Sequence, residues 1–593
     1  MDGDRMKVSD AVAKYLAHEG VRVIFGYQGG AITHLIDSFD RAGIAYIQNY
    51  NEQGSGLAAD AYARIEKDGL GVAIATNGPG ATNLVTAIAN AYCDSVPVLF
   101  LTGQVHTFAM KKSPLIRQES FQEIDILSIT GSITKYAVTV MEKERVLPEL
   151  SKAIAIAKDG RKGPVQVDIP VDVQGMQIAE ELLTECIEHP YRVQHEPEET
   201  ENGATGKITE NVQKANELLL HAKRPLIIAG GGIRLDGAVE AFRKMVHRQG
   251  IPVAASMMGL DAMDHGDPYF AGFLGSYGNR YANIAVQKAD VILVLGSRLD
   301  MRQTGKRKDL FAVDAKLIHV DVDEHELGHF VKEDVNIACT VSQFLHAWDR
   351  ILADNDHVES GNCADNADRV MWMDTINNWK QKYPDDEELA IRPECRKNNP
   401  NVILKHLGAL LPEHTIVCSD VGQNQLWVAQ SVRVKGADVR ILNSGGLGTM
   451  GYALPAAIGA YYADPKATVV ACMGDGGFQM NIQELQLIGN RQLPITILLM
   501  NNHALGLIRD THEKYYDKRY VGSVWGFSLP DLEYLCKAYR LKYIKPGNPE
   551  ELTDAVRNVT GPKLIEIEFT ENTYVYPELG GNDALDHQMP YRD

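Results

Sequence analysis

Two polar segments in the last third of the chain could together hold a metal ion. Asp475 lies between two glycines directly after the apolar run VVACM, and Asn502 follows the apolar run PITILLM. Both runs are typical of buried strands, and in an open α/β sheet ligands bind outside the carboxyl ends of parallel strands. Carboxylate, amide and carbonyl oxygens at that edge are the ligands that Mg²⁺ or Ca²⁺ takes. Each segment alone would equally fit an ordinary turn.

The elements that must position these side chains follow from the pattern of the whole chain. Short β-branched runs alternate with amphipathic helices throughout the 593 residues, which predicts an α/β fold with doubly wound parallel sheets. At about 150 residues per domain, the length suggests three or four domains. The polar, acidic segments at residues 196–206 and 354–368 are typical of linkers and divide the chain into three. We therefore expect domains at residues 1–190, 205–350 and 370–575, followed by a C-terminal tail at residues 576–593.

The composition excludes several classes of partner. A net charge of −19 and a pI near 5.4 leave no basic stripe for nucleic acid or an anionic membrane. No apolar run is long enough to span a membrane, and the first residues lack the apolar region of a secretory signal. The eight cysteines are scattered without CxxC spacing. We therefore expect a reduced, cytoplasmic protein.

The spacing of the two polar segments resembles the motif that binds thiamine diphosphate. Between GDG, which ends at Gly476, and the asparagine pair that ends at Asn502 lie 24 residues. The resemblance implies that Asp475, Asn502 and the backbone carbonyl of Ala504 hold Mg²⁺ on the diphosphate, beside Gly474 and Gly476. The physical chemistry agrees, because a diphosphate needs a divalent cation and N–H donors at a helix start.

The segment YNEQGSGLAADAYAR near the N-terminus resembles another part of the same family. The resemblance implies that Glu52 hydrogen-bonds the aminopyrimidine ring of the cofactor and thereby promotes removal of a proton from the thiazolium carbon. A buried glutamate is costly unless it has such a partner. Taken alone, the segment would equally fit a helix start with an exposed glutamate.

Further segments narrow the resemblance to the acetohydroxyacid synthase branch of that family. They are TNGPGATNLVTAIANAYCDSVPVLFLTGQV, FQEIDILSITGSITKY, VGQNQLWVAQ and GGLGTMGYALPAAIGA. In that branch the residue at Met450 wedges the cofactor into a bent, reactive conformation, although Met450 would also fit plain core at a helix start. Gln28 and Gln122 join Glu52 as catalytic candidates. The cofactor positions implied in the third part are Gly422, Gln423, Asn424 and Gly448.

The middle part resembles the FAD-binding domain of the same branch. The segments that carry the resemblance are IIAGGGIRLDG, VAASMMGLDAM, FLGSYGNRYANIAV, GSRLDMRQTG and IHVDVDEHELG. Arg298 and Arg302 in GSRLDMRQTG are natural cations for an anionic cofactor. Related middle domains, however, bind ADP or nothing. The residues that the resemblance assigns to FAD are Gly231, Gly232, Ser256, Met257, Met258, Arg298, Asp300, Arg302 and Asp321.

The chain departs from the synthases where a second substrate would bind. Thr511 stands where they carry a Trp, Gln28 where they carry a Pro, and Val171 where they carry a Lys. The loop HTFAMKKSPLIRQES is longer than theirs and adds the cations Lys111, Lys112 and Arg117. These differences widen the acceptor side and add positive charge, although the loop could equally be a solvated surface excursion.

These departures make the chain resemble the flavin-containing carboligases of sugar biosynthesis clusters. We expect a carboligase that decarboxylates pyruvate and transfers the two-carbon acetyl unit to a ketone, with a nucleotide-linked 4-keto-deoxysugar favoured as acceptor. The alternative is an acetolactate synthase that condenses two 2-keto acids. An oxidase with a working FAD and a non-catalytic cofactor-binding or regulatory protein are further hypotheses. The resemblance also implies a homodimer or homotetramer with active sites between subunits.

Overall fold

Three six-stranded parallel sheets follow one another along the chain. The computed structural model describes residues 5–67, 69–194, 200–355, 367–391, 398–433, 436 and 439–592. The central strands of each sheet are buried on both faces, and helices alternate with them in sequence, so the predicted fold class is confirmed. In the described ranges, every helix is too short or too polar to cross a membrane.

The first sheet occupies the N-terminal part. The strands are β1 (Arg5–Lys7), β2 (Val23–Gly26), β3 (Ala45–Gln48), β4 (Gly71–Ala75), β5 (Val98–Gln104), β6 (Tyr136–Thr139), β7 (Val165–Pro170) and β8 (Gln177–Ala179). The helices are α1 (Val8–His18), α2 (Thr33–Arg41), α3 (Glu52–Ile65), α4 (Pro79–Asn83), α5 (Val85–Cys93), α6 (Ile126–Thr130), α7 (Val146–Lys158), α8 (Val171–Gly175) and α9 (Glu180–Glu188). The sheet has the order β3-β2-β4-β5-β7-β6, and β1 pairs with β8 apart from it.

The middle sheet has a different order. The strands are β9 (Pro225–Ala229), β10 (Val253–Ala255), β11 (Phe270–Phe273), β12 (Val291–Leu295), β13 (Lys316–Asp321) and β14 (Val335–Ala338). The helices are α10 (Thr200–His221), α11 (Gly232–Leu235), α12 (Val239–Gln249), α13 (Arg280–Lys288), α14 (Met301–Thr304), α15 (Val341–Asn355) and α16 (Ala367–Lys382). The order β11-β10-β9-β12-β13-β14 reverses between β9 and β12, where a doubly wound sheet of this order binds dinucleotides.

The third sheet repeats the strand order of the first. The helices are α17 (Pro400–Leu410), α18 (Gln423–Ser431), α19 (Ala453–Ala463), α20 (Asp475–Met480), α21 (Leu485–Arg491), α22 (Gly506–Tyr515), α23 (Leu532–Ala538) and α24 (Pro549–Arg557). The strands are β15 (Thr415–Ser419), β16 (Arg440–Asn443), β17 (Thr468–Gly474), β18 (Thr496–Asn501), β19 (Lys542–Ile544) and β20 (Lys563–Glu568), followed by β21 (Glu578–Leu579) and β22 (Gln588–Met589). The sheet order is β16-β15-β17-β18-β20-β19, and β21 pairs with β22 separately.

The two acidic segments predicted as linkers are partly helical. Helix α10 already begins at Thr200, and residues 195–199 lie outside the described residues. Helix α15 extends to Asn355 and α16 begins at Ala367, with residues 356–366 likewise outside. Parts of both segments are therefore helical, and the predicted domain bounds stay a prediction. A polar, charged composition suits an exposed helix as well as a linker, so composition alone does not separate the two.

Helices α3 and α19 join the first domain to the third. A Cβ on Gly459 of α19 would lie 2.0 Å from the carbonyl oxygen of Ala58 on α3, so glycine is needed for this approach. Buried side chains from both helices belong to one continuous hydrophobic cluster. Because α3 begins at Glu52 and α19 follows Met450 closely, this contact sets the relative position of two candidate site segments.

We expect Gly459→Ala to destabilise the protein by about 1–3 kcal/mol, because the added methyl group would overlap the backbone of α3. Urea unfolding followed by circular dichroism measures the change. Gly131→Ala is the control, since a Cβ at that glycine has no atom within 4 Å. Equal free energies of unfolding for the two variants would contradict the close approach of α3 and α19.

Candidate functional site

Asp475 and Asn502 lie at adjacent strand ends, as the sequence pattern predicts. Strands β17 and β18 pair in parallel; Gly474 ends β17, Asp475 begins α20, and Asn502 directly follows β18. The backbone N–H of Ala504 donates to Asp475 Oδ2 and to Asn502 Oδ1, at 3.2 Å in both cases. The three predicted metal ligands thus belong to one hydrogen-bonded group at the carboxyl edge of the sheet.

The chemistry of this group suits a divalent cation. Asp475 is almost fully buried, and in the described part of the chain no side chain forms a salt bridge with it. Burial raises the pKa of its carboxyl to about 6, against hydrogen bonds from Gly476 and Ala504 that lower it. The described ranges hold no group of three or more His, Cys, Asp or Glu fit for a metal. A cation bound by this single carboxylate would therefore need oxygen ligands such as the Asn502 amide and the Ala504 carbonyl.

Gln423 connects this group to the other predicted diphosphate positions. Its side-chain oxygen accepts from Asn502 Nδ2 at 3.0 Å and from Thr573 Oγ1 at 2.8 Å. The Oδ1 atom of neighbouring Asn424 is buried and has no hydrogen-bond partner among the described residues. Gly422, just before them, has φ of 120°, a conformation that favours glycine. The sequence analysis missed Thr573, because a lone threonine near the C-terminus carries no motif.

Met450 lies over the start of the metal-binding segment. A Cβ built on Gly476 would be 3.5 Å from the terminal methyl group of Met450, and Met450 is partly exposed, not packed in the core. Gly448 allows the preceding turn with φ of 73°. Asp420 accepts the backbone N–H groups of Gly451 and Ala453, both at 3.0 Å, and so fixes the C-terminal side of the loop.

The first domain holds the N-terminal side of the Met450 loop. Asp94 accepts the backbone N–H groups of Gly445 and Gly446, at 3.1 and 2.7 Å. Arg64 lies buried between Asp60 and Asp94 and forms a salt bridge with each, at 2.8 and 3.0 Å. A buried charge cluster on α3 and the end of α5 therefore positions a loop of the third domain.

The catalytic candidates of the first domain converge on the loop that leads into α4. Glu52 is nearly buried, and Asn83 Nδ2 donates to Glu52 Oε2 at 3.0 Å. Gln122 has φ of 62°, which is rare outside glycine, and an added Cβ on Gly78 would lie 2.7 Å from its carbonyl oxygen. Gln28 is exposed in the turn between β2 and α2. The next residue, Gly29, packs against Thr76 in the loop before α4.

Within the described residues of one chain, the Glu52 group and the metal group are held by different hydrogen bonds. Glu52 is hydrogen-bonded inside the first domain, and Asp475 inside the third. Across the described residues, no hydrogen bond or ion pair joins Glu52 or Gln122 to Asp475 or Asn502. In the described part of one chain, the two groups are therefore not joined directly.

A cavity of about 480 Å³ lies at the carboxyl edge of the middle sheet and extends to the other two domains. A Cβ on Gly232, after β9, would lie only 2.7 Å from Cα of Gly296, after β12, so these glycines pack where the strand order reverses. The predicted FAD positions all line this cavity, namely Gly231, Gly232, Ser256, Met257, Met258, Arg298, Asp300, Arg302 and Asp321.

The cavity also contains cations that the sequence analysis missed. Arg161 and Lys162 of the first domain line it, and Arg161 forms salt bridges with Asp323 and Glu326 after β13, at 2.9 and 2.7 Å. The signal in the sequence was only the tetrapeptide GRKG before β7, which is too common to indicate a site. Arg302 is exposed and forms no salt bridge with a described residue.

The carboxylate of Glu123 orders the loop HTFAMKKSPLIRQES, residues 106–120, which we call the inserted loop. Glu123 accepts the backbone N–H groups of Lys111, Glu119 and Ser120, at 2.6, 2.8 and 3.2 Å. Burial opposes ionisation, but these hydrogen bonds lower the pKa of Glu123 below its ordinary value. The predicted cations of this loop, Lys111, Lys112 and Arg117, form no salt bridge with any residue that the structure describes.

The other two departures lie on different domains. Val171 begins α8, and the following Asp172 accepts the N–H and the O–H of Thr107 at the base of the inserted loop, at 3.0 and 2.6 Å. Thr511 is exposed on α22, which follows the metal-binding segment. Val171 is thus placed beside the inserted loop, and Thr511 on the helix after the metal group.

Comparison with known protein families identifies all three parts. Residues 6–129 match "Thiamine pyrophosphate enzyme, N-terminal TPP binding domain". Residues 212–348 match "Thiamine pyrophosphate enzyme, central domain", and residues 420–567 match "Thiamine pyrophosphate enzyme, C-terminal TPP binding domain". Each match covers one of the three sheets in whole or in part.

Several known proteins are similar to this chain over nearly its full length. The acetolactate synthase large subunit of Lactococcus lactis is 36% identical over 574 residues, 96% of this chain and 94% of that protein. A probable acetolactate synthase large subunit of Methanococcus aeolicus is 35% identical over 95% of this chain and 92% of its own. The Escherichia coli acetolactate synthase isozyme 2 large subunit is 34% identical, with coverages of 95% and 96%. The chain therefore belongs to the thiamine diphosphate-dependent enzymes, as a decarboxylating, carbon–carbon bond-forming member with acetolactate synthase large subunits among its homologues.

Proposed function

We propose that the protein decarboxylates pyruvate with thiamine diphosphate and Mg²⁺ and joins the two-carbon unit to the keto group of a second 2-keto acid. The observation that carries the proposal is the hydrogen-bonded group of Asp475, Asn502 and Ala504 at one strand edge. The full-length similarity to acetolactate synthase large subunits supports the choice of acceptor. Thiamine diphosphate supplies the electron sink that makes loss of carbon dioxide from pyruvate possible.

In this proposal the residues of the chain bind and orient the cofactor and move one proton. Asp475, Asn502 and the Ala504 carbonyl hold Mg²⁺, and Gln423 keeps Asn502 in place through its hydrogen bond. Glu52 would hydrogen-bond the pyrimidine ring of the bound cofactor and exchange a proton with it, from a nearly buried position where few water molecules compete. Met450, whose terminal methyl group faces Gly476, would support the bound cofactor, as the resemblance implies.

We propose that two subunits complete each site, so that a homodimer is the smallest active unit. The support is that, among the described residues of one chain, no hydrogen bond joins the Glu52 group to the metal group. One cofactor bridging both groups would need Glu52 from one subunit and Asp475 from another, as the resemblance implies. A two-fold arrangement satisfies this requirement twice with one interface.

We propose FAD for the middle cavity. The reversal of strand order at β9 and β12 and the arginines at the lining suit an anionic dinucleotide. The volume of the cavity lies within the usual range of ligand pockets. The reaction as proposed transfers no net electrons, so this FAD has a structural role.

A nucleotide-linked 4-keto-deoxysugar is the second candidate for the acceptor. The observation that favours it is the inserted loop, whose Lys111, Lys112 and Arg117 lack salt-bridge partners among the described residues while Glu123 holds the loop in shape. Such cations would suit the two phosphates of a nucleotide sugar. Thr511 in place of the synthases' Trp leaves more room for this larger acceptor.

We expect Glu52→Gln to lower the rate of pyruvate decarboxylation by about 100-fold or more, because an amide cannot exchange the proton that a carboxylate can. The replacement keeps the size of the side chain, so the circular dichroism spectrum should not change. Release of carbon dioxide from pyruvate with saturating thiamine diphosphate and Mg²⁺ measures the rate.

Asp475→Asn is the comparison variant for Glu52→Gln. It removes the charge of the proposed metal site, so activity should need far more Mg²⁺ but recover at high concentration. Near-normal turnover in Glu52→Gln would reject the proton-exchange role. An unchanged Mg²⁺ requirement in Asp475→Asn would reject the metal site.

We expect FAD to copurify with the protein and to remain oxidised during turnover. Arg302→Ala should weaken FAD binding by about tenfold, since it removes one charge-assisted hydrogen-bond donor. The absorbance of the bound and released flavin measures both properties. Arg307→Ala is the control, because Arg307 pairs with Asp309 on the exposed surface and does not line the cavity. A colourless protein with full activity would reject the flavin site.

We expect pyruvate alone to give acetolactate as the main product, identified by mass spectrometry. Replacing Lys111, Lys112 and Arg117 together with glutamine should leave acetolactate formation within about twofold of the wild type, because exposed charges contribute little. A faster reaction with nucleotide-linked 4-ketosugars, lost in the triple variant, would instead establish the second candidate.

A further inference from the structure

Glu484 is a buried carboxylate that none of the roles above uses. It ends the turn Ile482–Glu484, which follows α20 in the segment that starts at Asp475. Its side chain is fully buried, and in the described part of the chain no cation forms a salt bridge with it. A buried, unpaired carboxylate is costly unless hydrogen bonds compensate for the lost hydration.

The hydrogen bonds to Glu484 come from the turn that precedes Glu52. Asn49 Nδ2 donates to Glu484 Oε2 at 2.9 Å, and the backbone N–H of Tyr50 donates to Oε1 at 3.1 Å. The backbone N–H of Asn51 also hydrogen-bonds to this carboxylate. Glu484 of the third domain thus contacts all three residues between β3 and the first residue of α3.

Glu484 also lies against the first turn of α3. A Cβ on Gly54 would be 2.4 Å from Glu484 Oε1, so a glycine is required for the carboxylate to reach its place. A negative charge at the N-terminus of a helix is favourable, because the partial positive charge of the unpaired N–H groups attracts it. This helix start, together with the donors of residues 49–51, takes the place of a cationic partner.

We propose that Glu484 is a positioning residue for Glu52, holding the Asn49–Asn51 turn so that the Glu52 carboxylate is presented at a fixed place and angle. The proposal rests on the proposed role of Glu52 in the reaction. Glutamine cannot replace Glu484 without loss, because an amide has one acceptor oxygen and its NH₂ group would face N–H donors. Burial raises the pKa of Glu484 to about 7, while the hydrogen bonds from residues 49–51 lower it and favour the carboxylate form.

The first experiment compares wild type with Glu484→Gln by hydrogen–deuterium exchange of the cofactor-free protein. Peptides that cover residues 45–56 should exchange at least about tenfold faster in the variant, because local opening is no longer opposed by Glu484. The turnover number for pyruvate decarboxylation should fall by about tenfold or more, since small misplacement of a reacting group is enough for that loss. The Mg²⁺ dependence should stay unchanged, because the metal group keeps all its ligands.

Gly54→Ala is a second, independent variant that keeps Glu484 itself. The added methyl group occupies the position of the carboxylate, so Glu484 must move and turnover should fall as in Glu484→Gln. The higher helix propensity of alanine offsets part of the lost stability, so the protein should remain folded at the assay temperature, which thermal melting checks. A loss of turnover in folded protein with an unchanged Mg²⁺ requirement separates positioning from a merely structural role.

Glu149→Gln is the matched control. Glu149 is also a buried glutamate, on α7, where it accepts from Tyr136 and pairs with Arg145, and its replacement should change neither the exchange of residues 45–56 nor turnover. Wild-type exchange and turnover in folded Glu484→Gln, or full turnover in Gly54→Ala, would overturn the proposal. A wild-type protein that fails to decarboxylate pyruvate would instead overturn the proposed function, whatever the exchange data show.

Discussion

The contact between α3 and α19 is the constraint on which the candidate site depends. The two helices approach until the backbone at Ala58 faces Gly459 with no room for a side chain. One helix begins at Glu52, and the other follows the loop of Met450 within a few residues. Because interiors are packed as densely as crystals, a shift at this contact would move both segments together. The positions of Glu52 and Met450 therefore depend on the small residues at which α3 and α19 pack.

Buried carboxylates fix the loops that leave this contact, and they do so mainly through backbone N–H groups. Asp94 holds the residues before Met450, Asp420 holds those after it, and Glu484 holds the turn before Glu52. Burial raises the pKa of Asp420 to about 6 and that of Glu484 to about 7. A carboxylate can satisfy several N–H donors at once, so one side chain can order a whole turn. Buried carboxylates around the candidate site can therefore serve to order the backbone of its loops.

The sequence could predict the placement of candidate residues that depends on strand ends and short motifs. Asp475 and Asn502 could be expected to meet because consecutive parallel strands end at the same sheet edge, and the residues predicted for FAD line one cavity at such an edge. The positions of Thr573, Arg161 and Glu484 could not be predicted, because each contacts a residue far away in sequence. The helix that begins at Thr200 was not predicted either, since acidic composition does not distinguish a helix from a coil.

The inserted loop, which is proposed to line the acceptor side, is built differently from the surroundings of Glu52 and Asp475. Domain contacts, glycine approaches and buried carboxylates surround Glu52 and Asp475, so a substitution there disturbs several elements at once. The inserted loop, by contrast, depends largely on Glu123, whose three backbone hydrogen bonds close it onto its own base. Such a loop can change its length and charge while Glu123, β5 before the loop and α6 after it stay as they are. Acceptor choice can therefore diverge between homologues that share the decarboxylation chemistry, which is why 36% identity over the chain constrains the reaction type more tightly than the second substrate.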